Sequence, residues 1–163
     1  MNFGFTMNGA WKGLDLSLTF QGAAMSYIAY GEQLSAPLAW NGNALDMFLD
    51  RWHPADPKQD PYDPATEWIS GYYAYGGITP DANSSFMIQK GNYLRLKTAE
   101  VGYTLPKRWL SFVGVQNLRV YVNAYNLFTI TGVKGVDPEK PADLYGYMYP
   151  LNRTYNFGAS ITF

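Results

Sequence analysis

Tyr155-Asn-Phe-Gly-Ala-Ser-Ile-Thr-Phe163, at the end of the chain, is the stretch that decides the fold class. Apolar or aromatic side chains occupy every second position, and small or polar ones fill the positions between them. Because successive side chains of a β-strand point to opposite faces, this strand has one apolar and one polar face. A strand of a transmembrane β-barrel has this pattern, with its apolar face toward lipid. The pattern favours a barrel over the alternative, an amphipathic strand at the end of a soluble β-sandwich.

The composition agrees with a barrel without requiring one. Aromatic residues make up 17% of the 163 residues and charged residues only 15%, whereas soluble domains average about 25% charged residues. Barrels carry aromatic girdles and exclude charge from the lipid-facing positions. A carbohydrate-binding β-domain has a similar composition, so this alternative stays open. No apolar run approaches the roughly 20 residues of a transmembrane helix, which excludes a helical membrane protein.

Charge, cysteine content and the first residues exclude further classes. The net charge is -1 and no basic run occurs, so nucleic-acid binding has no electrostatic basis. The chain contains no cysteine, hence neither disulfides nor thiolate chemistry. The start, Met1-Asn-Phe-Gly-Phe-Thr-Met7, lacks the basic and apolar regions of a signal peptide. An exported protein that begins in this way is expected to be a piece of something longer.

Period-two alternation predicts an all-β, antiparallel arrangement of five strands. They are expected at about 2–11, 14–24, 92–105, 117–131 and 152–163. In the third strand the apolar phase changes from even to odd positions, which predicts a β-bulge near Thr98 to Glu100. The residues predicted to face lipid are Leu16, Leu18, Val120, Val122, Phe157 and Ile161.

The connections between these strands alternate between short and long. Residues 12–13 and 106–116 are short links, whereas about 25–91 and 132–151 are long, as in bacterial outer-membrane barrels. Apolar residues at helical spacing predict one helix within the first long connection, over 37–52. Five strands cannot close a barrel, since the smallest need about eight. The chain is therefore expected to be the carboxy-terminal part of a larger barrel.

Several short motifs occur together in a recognisable order. They are Tyr93-Leu-Arg-Leu-Lys97, Gly102-Tyr-Thr-Leu-Pro106, Asn117-Leu-Arg-Val-Tyr-Val122, Asn126-Leu-Phe-Thr129, Asp137-Pro-Glu139 and the end of the chain from Phe157-Gly158 to Phe163. With this order, and with Arg51-Trp52 in the long connection, the chain resembles the carboxy-terminal end of SusC/RagA-family TonB-dependent outer-membrane transporters. The resemblance covers nearly the whole chain outside roughly 53–85.

This resemblance implies a fold, a function and a set of partners. Such proteins are barrels of about 22 strands with a plug in the lumen. They import oligosaccharides or peptides with energy supplied through TonB, and a SusD-like lipoprotein covers the extracellular mouth. Residues 1–163 would supply the last five strands, in the outer membrane of a Gram-negative bacterium, with 25–91 and 132–151 outside the cell. The plug, the TonB-contacting segment and the signal peptide are expected to lie outside this chain.

Enzyme activity, a metal and a cofactor have no support in the sequence. His53 is the only histidine, and no nucleophile elbow or paired-carboxylate motif is present. Asp56, Asp60 and Asp63 form a Pro-spaced row of oxygen ligands that suits calcium, but they lack the glycine and bidentate glutamate of an EF-hand. A solvated acidic loop is the preferred interpretation of this row.

Three groups of side chains are candidates for binding, lumen contact or assembly. A group of aromatic residues has three possible roles: contact with ligand, contact with the lipoprotein, or packing within the loops. These candidates are Trp68, Tyr72, Tyr73, Tyr75, Tyr145, Tyr147 and Tyr149. The charged residues expected to face the lumen are Asp15, Arg95, Lys97 and Arg119, because charge facing lipid is costly. The residues that resemble the signal read by the outer-membrane insertion machinery are Tyr155, Phe157, Ile161 and Phe163.

Overall fold

The computed structural model describes residues 1–31, 34–38, 41–75, 85–139, 149 and 151–163. The chain divides into two compact units. The sheet unit comprises Met1–Ser26, Gly91–Gly132 and Pro150–Phe163. The loop unit comprises Tyr27–Lys90 and Val133–Tyr149.

The strands of the described residues are numbered in chain order. They are β1 (Asn2–Trp11), β2 (Leu14–Ala23), β3 (Tyr27–Ala29), β4 (His53–Pro54), β5 (Trp68–Ile69), β6 (Ile88–Lys90), β7 (Tyr93–Thr104), β8 (Asn117–Thr131) and β9 (Thr154–Thr162). The sheet unit holds one antiparallel five-stranded sheet in the order β1-β2-β7-β8-β9. The five long strands predicted from the alternation are confirmed, with ends within two residues of the predicted ones.

The strand register separates apolar and polar residues onto opposite faces of the sheet. One cross-strand row runs through Leu16, Val101, Val122 and Phe157. These side chains are 40%, 46%, 41% and 80% exposed, respectively. In the part of the chain that the structure describes, the apolar face is therefore not packed against a second sheet. This exposure argues against the soluble β-sandwich that was the alternative.

The predicted β-bulge is confirmed, one residue before the expected window. Thr19 pairs with Thr98 and Phe20 pairs with Leu96, so Lys97 is an extra residue on β7. Its insertion moves Leu96 onto the apolar face and explains the change of phase in the sequence. On β8 the chain passes the same point with Asn126 in the left-handed region, at φ 54°.

Two short links join strands at one end of the sheet. Lys12 and Gly13 both have positive φ, 48° and 89°, as a two-residue hairpin turn of this hand requires. A Cβ atom on Gly13 would lie 2.8 Å from the carbonyl oxygen of Thr104. The other link contains α1 (Lys107–Leu110) and a 3-10 turn at Ser111–Val113. No helix in the described ranges has the length and apolar character needed to cross a membrane.

The loop unit has a hydrophobic core of its own, built from both long connections. Its buried members are Ile28, Tyr30, Leu34, Met47, Phe48, Tyr73 and Met87, and Val133 and Val136 from the second connection pack against them. The Tyr30 hydroxyl donates to the Lys134 carbonyl oxygen at 2.6 Å and accepts from the Lys134 N–H at 3.1 Å. The unit also contains two small sheets, β3-β6 and β4-β5.

The helix predicted over 37–52 is wrong. In the described part of 37–52, a 3-10 turn at Asp46–Leu49 is the one helical element longer than a single residue. Met47 and Phe48 of this turn are buried in the core, where Phe48 makes an edge contact with Tyr73 at 4.8 Å between ring centroids. The apolar spacing therefore reflects packing into the loop core and not a helical face.

Candidate functional sites

Charged side chains form a cluster on the polar face of the sheet. Arg119 on β8 donates from Nε to Asp15 Oδ2 at 3.0 Å and from Nη2 to Asp15 Oδ1 at 2.5 Å. Its Nη2 also donates to Glu100 Oε1 on β7 at 2.6 Å. One guanidinium thus holds two carboxylates, with the bidentate geometry that favours arginine at such sites. We call Asp15, Glu100 and Arg119 the charge cluster.

The cluster continues as a hydrogen-bonded network toward β9. Asn123 Nδ2 donates to Glu100 Oε2 at 3.5 Å, and Asn156 Nδ2 donates to Asn123 Oδ1 at 2.9 Å. The network therefore joins β2, β7, β8 and β9 through side chains that share one face. Half-buried polar groups cost free energy unless they are paired, so this mutual pairing stabilises the polar face of the sheet.

Two glycines give the long side chains of this face room to lie across the sheet. Arg119 crosses Gly102 of β7 to reach Asp15, and a Cβ atom at Gly102 would collide with its guanidinium. Likewise, a Cβ atom at Gly158 of β9 would collide with the Tyr121 ring. The Arg119 guanidinium in turn lies 5.0 Å from the Tyr121 ring centroid, in a cation–π contact. The glycines are thus required by close approach and not by backbone conformation.

The other two charges predicted on this face occupy different surroundings. Arg95 is 4% exposed, and its Nε donates to Thr129 Oγ1 at 2.7 Å. It pairs across the sheet with Gln21, on the same face as Asp15. Lys97 is the inserted residue of the bulge and is half-buried. Charge confined to one face is what the alternation predicts, and contact of that face with a lumen stays a prediction.

The predicted aromatic cluster divides into buried and exposed members. Tyr73 is 7% exposed and belongs to the loop core, which favours the packing alternative for this residue. Tyr72 stacks on Phe86 at 4.9 Å, and Trp68 makes an edge contact with Tyr75 at 5.1 Å. The exposed members are Trp68, Tyr72, Tyr75 and Tyr149. Tyr145 and Tyr147 lie outside the described residues.

The row of aspartates considered for calcium forms three identical turns. Oδ1 of Asp56, Asp60 and Asp63 each accepts a hydrogen bond at 2.9 Å from the N–H two residues later. Each main-chain carbonyl also accepts from the N–H three residues later. In every case the residue between is proline, whose fixed φ suits the second position of such a turn. The Asp-Pro-X pattern thus has a local structural explanation, and Asp137-Pro-Glu139 forms the same side-chain turn.

The predicted assembly residues lie on the exposed apolar face of β9 and at its end. Tyr155, Phe157 and Ile161 are 57%, 80% and 53% exposed, and Phe163 is 80% exposed. They alternate with Asn156, whose side chain joins the polar network. The geometry agrees with the expected lipid-facing edge, and the role in insertion stays a prediction.

A groove within the loop unit was not predicted from the sequence. It is lined by Leu49, Arg51, His53, Pro54, Pro57 and Tyr75. Nothing in the local sequence pattern shows that Arg51, His53 and Tyr75 line the same groove. The one signal in the sequence is the two-residue spacing of Arg51 and His53, which places both side chains on the same side of an extended segment.

The chain is similar in sequence to known TonB-dependent receptors. No family model matches the sequence. The chain is 30% identical over 138 residues to TonB-dependent receptor P3 of Formosa agariphila, covering 83% of this chain and 12% of that protein. It is 32% identical over 85 residues to TonB-dependent receptor SusC of Bacteroides thetaiotaomicron, covering 51% of this chain and 8% of SusC. The chain thus spans about a tenth of the length of these curated relatives.

A solved structure shares the fold. The RagAB peptide importer in its "closed-closed" state superposes with a TM-score of 0.71 at 25% identity, covering 99% of this chain and 17% of that one. The one-sided antiparallel sheet and this superposition define a segment of a transmembrane β-barrel. The chain is a barrel segment of a SusC/RagA-family TonB-dependent transporter.

Proposed function

We propose that this chain forms a membrane-spanning part of an outer-membrane transporter that imports peptides or oligosaccharides in a TonB-dependent way. The observation that carries the proposal is the five-stranded sheet with an exposed apolar face and a polar face joined by the charge cluster. In lipid, an apolar outer face is favourable, and the polar face requires a lumen or a plug to contact. β1 and β9 each pair on one side only in the described ranges, so their other edges would pair with the rest of the barrel.

The arrangement of the connections supports an orientation. Both long connections leave the end of the sheet that contains Ala23, Tyr93 and Thr131, which pair in one row. The turn at Lys12-Gly13 and the link with α1 lie at the other end. Outer-membrane barrels have short periplasmic turns and long extracellular loops. We therefore place the loop unit outside the cell and residues 1–163 in the carboxy-terminal part of the barrel.

The proposed partners follow from the family and from the named neighbour. The RagAB structure is described as that of a peptide importer, which supports a peptide substrate, whereas an oligosaccharide is the alternative. The remaining barrel and plug, TonB, outer-membrane lipid and a SusD-like surface lipoprotein are the other proposed partners. The exposed rings Trp68, Tyr72, Tyr75 and Tyr149 in the loop unit are the surface that we propose for the lipoprotein or the ligand.

The face assignment is testable with two neighbouring positions on β8. Val122 lies on the apolar face and Asn123 on the polar face, and the chain has no cysteine of its own. In the complete transporter with other cysteines removed, Val122→Cys should react with a lipid-soluble maleimide and resist a membrane-impermeant one. Asn123→Cys should react with the membrane-impermeant maleimide once the plug is displaced with denaturant, and should react poorly with the lipid-soluble one. Equal reactivity of both positions with the water-soluble reagent would contradict the membrane assignment.

Transport itself requires a separate test in cells. Deletion of the gene should abolish uptake of a labelled peptide mixture or oligosaccharide mixture, and deletion of TonB should give the same loss. Uptake that persists without TonB would contradict the proposed energy source. Outer-membrane fractionation of the wild-type protein provides the control that the transporter is present.

A further inference from the structure

The groove in the loop unit has a volume of about 350 Å³. Its position is set by backbone pairing: the Trp52 N–H donates to the Tyr73 carbonyl at 2.9 Å, and the Tyr73 N–H donates to Asp50 at 3.0 Å. The next residues, His53–Pro54, pair with β5. Residues two apart in extended backbone share a side, which is why Arg51 and His53 both line the groove.

Arg51 has an unused hydrogen-bonding capacity. It is half-buried, yet its guanidinium makes no hydrogen bond or ion pair among the described residues. The nearest carboxylates in sequence are used elsewhere: Asp50 Oδ1 accepts from the Tyr72 N–H at 3.2 Å, and Asp56 Oδ1 accepts from the Lys58 N–H at 2.9 Å. A partly desolvated arginine with five free donors favours an anionic ligand, and its planar fork matches a carboxylate.

His53 supplies a second polar group beside Arg51. Its Nδ1 lies 2.9 Å from the Pro54 carbonyl oxygen. Because a carbonyl oxygen only accepts, Nδ1 carries the hydrogen of this bond, and Nε2 is the nitrogen left for a ligand. The tautomer and orientation of the ring are thereby fixed by the main chain, as in many binding sites that use histidine.

The remaining walls of the groove are apolar. Leu49, Pro54 and Pro57 contribute aliphatic and prolyl surface, and the ring of Tyr75 packs edge to face against Trp68. Such walls suit an apolar peptide side chain. Tyr75 is the one aromatic residue in the described lining, so the groove offers little of the stacking surface that a sugar would use. The volume is at the lower end of the range for small-ligand sites, enough for the end of a peptide.

We propose that this groove binds the carboxy-terminal end of a short peptide, with the terminal carboxylate on Arg51 and the last peptide N–H donating to His53 Nε2. The inference rests on the proposed transport function and specifies its substrate as a peptide with a free carboxylate. Pro57 belongs to the first Asp-Pro-X turn, so that turn provides one wall of the site.

The experiment measures binding to the purified complete transporter by calorimetry. The probes are trialanine with a free carboxylate, trialanine amidated at that end, and trigalacturonic acid. The wild-type protein should bind the free acid at least about tenfold more tightly than the amide, as expected for hydrogen bonds to a charged group. Arg51→Gln should abolish this preference, and Arg51→Lys should retain part of it.

A matched control and the remaining outcomes make the result decisive. Arg153→Gln removes an exposed arginine that does not line the groove and should leave the preference unchanged. Heat-modifiable electrophoretic mobility shows that each variant is folded. Equal wild-type affinity for acid and amide, in a transporter that still takes up substrate, would overturn this inference alone. An Arg51-dependent preference for trigalacturonic acid over trialanine would overturn the peptide assignment. If wild-type cells take up neither peptide nor oligosaccharide, that result would instead count against the proposed function.

Discussion

Arg119 and Asp15 form a bidentate ion pair although they are not on neighbouring strands. The guanidinium starts on β8, passes over Gly102 of β7 and meets the carboxylate on β2, with Nε–Oδ2 and Nη2–Oδ1 distances of 3.0 and 2.5 Å. Backbone ladders join only adjacent strands. This pair therefore ties strands that the ladder joins only through β7, and it does so on the polar face.

We predict that Gly102→Ala and Arg119→Gln destabilise the transporter through the same interaction. The added methyl group occupies the path of the guanidinium, so the ion pair with Asp15 is lost in both variants. Both should lower the midpoint of thermal unfolding in detergent. The double variant should be no less stable than Arg119→Gln alone, because nothing remains for the methyl group to displace. Additive losses would show that Gly102 is required for a different reason, and Gly9→Ala, where a Cβ atom meets nothing within 4 Å, is the control.

Asn126 gives a second prediction, based on backbone conformation. It has φ 54°, and its side-chain Nδ2 donates to the Asn152 carbonyl at 3.0 Å. Asn126→Ala should destabilise the barrel by about 1–2 kcal/mol, because alanine tolerates the left-handed region poorly. Asn126→Gly should lose less, since glycine relieves the backbone cost and only the hydrogen bond is gone. Urea unfolding of the two variants measures the difference, and a glycine variant less stable than the alanine one would refute the explanation.

Ionisation of Tyr30 is expected to lower the stability of the loop unit at alkaline pH. Burial raises the pKa of its hydroxyl above the usual value of 10.0, and the hydrogen bond with Lys134 offsets this only in part. Above pH 10 the unfolded chain loses this phenolic proton before the folded chain does. The unfolded state then binds fewer protons, so the free energy of unfolding falls as pH rises. Protease cleavage within 27–90 should accelerate above this pH.

The substitution Tyr30→Phe separates the two contributions of this residue. It should lower the stability of the loop unit by about 1 kcal/mol near neutral pH, because the part-buried hydrogen bonds with the carbonyl and N–H of Lys134 are lost. It should also flatten the alkaline dependence of cleavage. Tyr62→Phe, at a tyrosine that is 91% exposed, should change neither property. An unchanged alkaline slope in Tyr30→Phe would assign the effect to another group.

Phe163 is predicted to act in assembly and not in transport. Its ring is 80% exposed at the end of the chain, following the apolar positions of β9, and aromatic rings are favoured at membrane interfaces. In the complete transporter, Phe163→Ala should reduce the amount of folded, heat-modifiable barrel in the outer membrane. Uptake per inserted molecule should remain normal. Normal membrane levels with impaired uptake would place the residue in the transport step instead.

Strand positions were predictable because a one-sided sheet requires alternation along every strand. The phase change between Leu96 and Val101 even indicated the bulge, although Lys97 and not the window from Thr98 carries the insertion. The positions of Asp15, Arg95 and Arg119 on the polar face were likewise predictable, although Glu100 was missed. Their mutual pairing was not, because the route of Arg119 over Gly102 depends on cross-strand register, which alternation alone does not specify.

The loop unit was not predictable from local pattern. A hydrogen bond in it joins Tyr30 to Lys134, 104 positions apart, and no period in the sequence records such a contact. The helix predicted over 37–52 failed for this reason: Met47 and Phe48 are apolar because they pack against other loop segments. The groove at Arg51 and His53 depends on the same long-range pairing with 68–73.

The common core of the two long connections has an evolutionary consequence. Substrate-binding loops diversify easily when each one folds independently, because a change in one leaves the others intact. Here Val133 and Val136 from one connection pack against the core to which the other contributes Ile28 and Tyr30, so the complete core requires both connections. The two segments are therefore expected to be inherited, exchanged and diversified as one module. A chimera that transplants 27–90 without 133–149 would leave the core of the loop unit without Val133 and Val136.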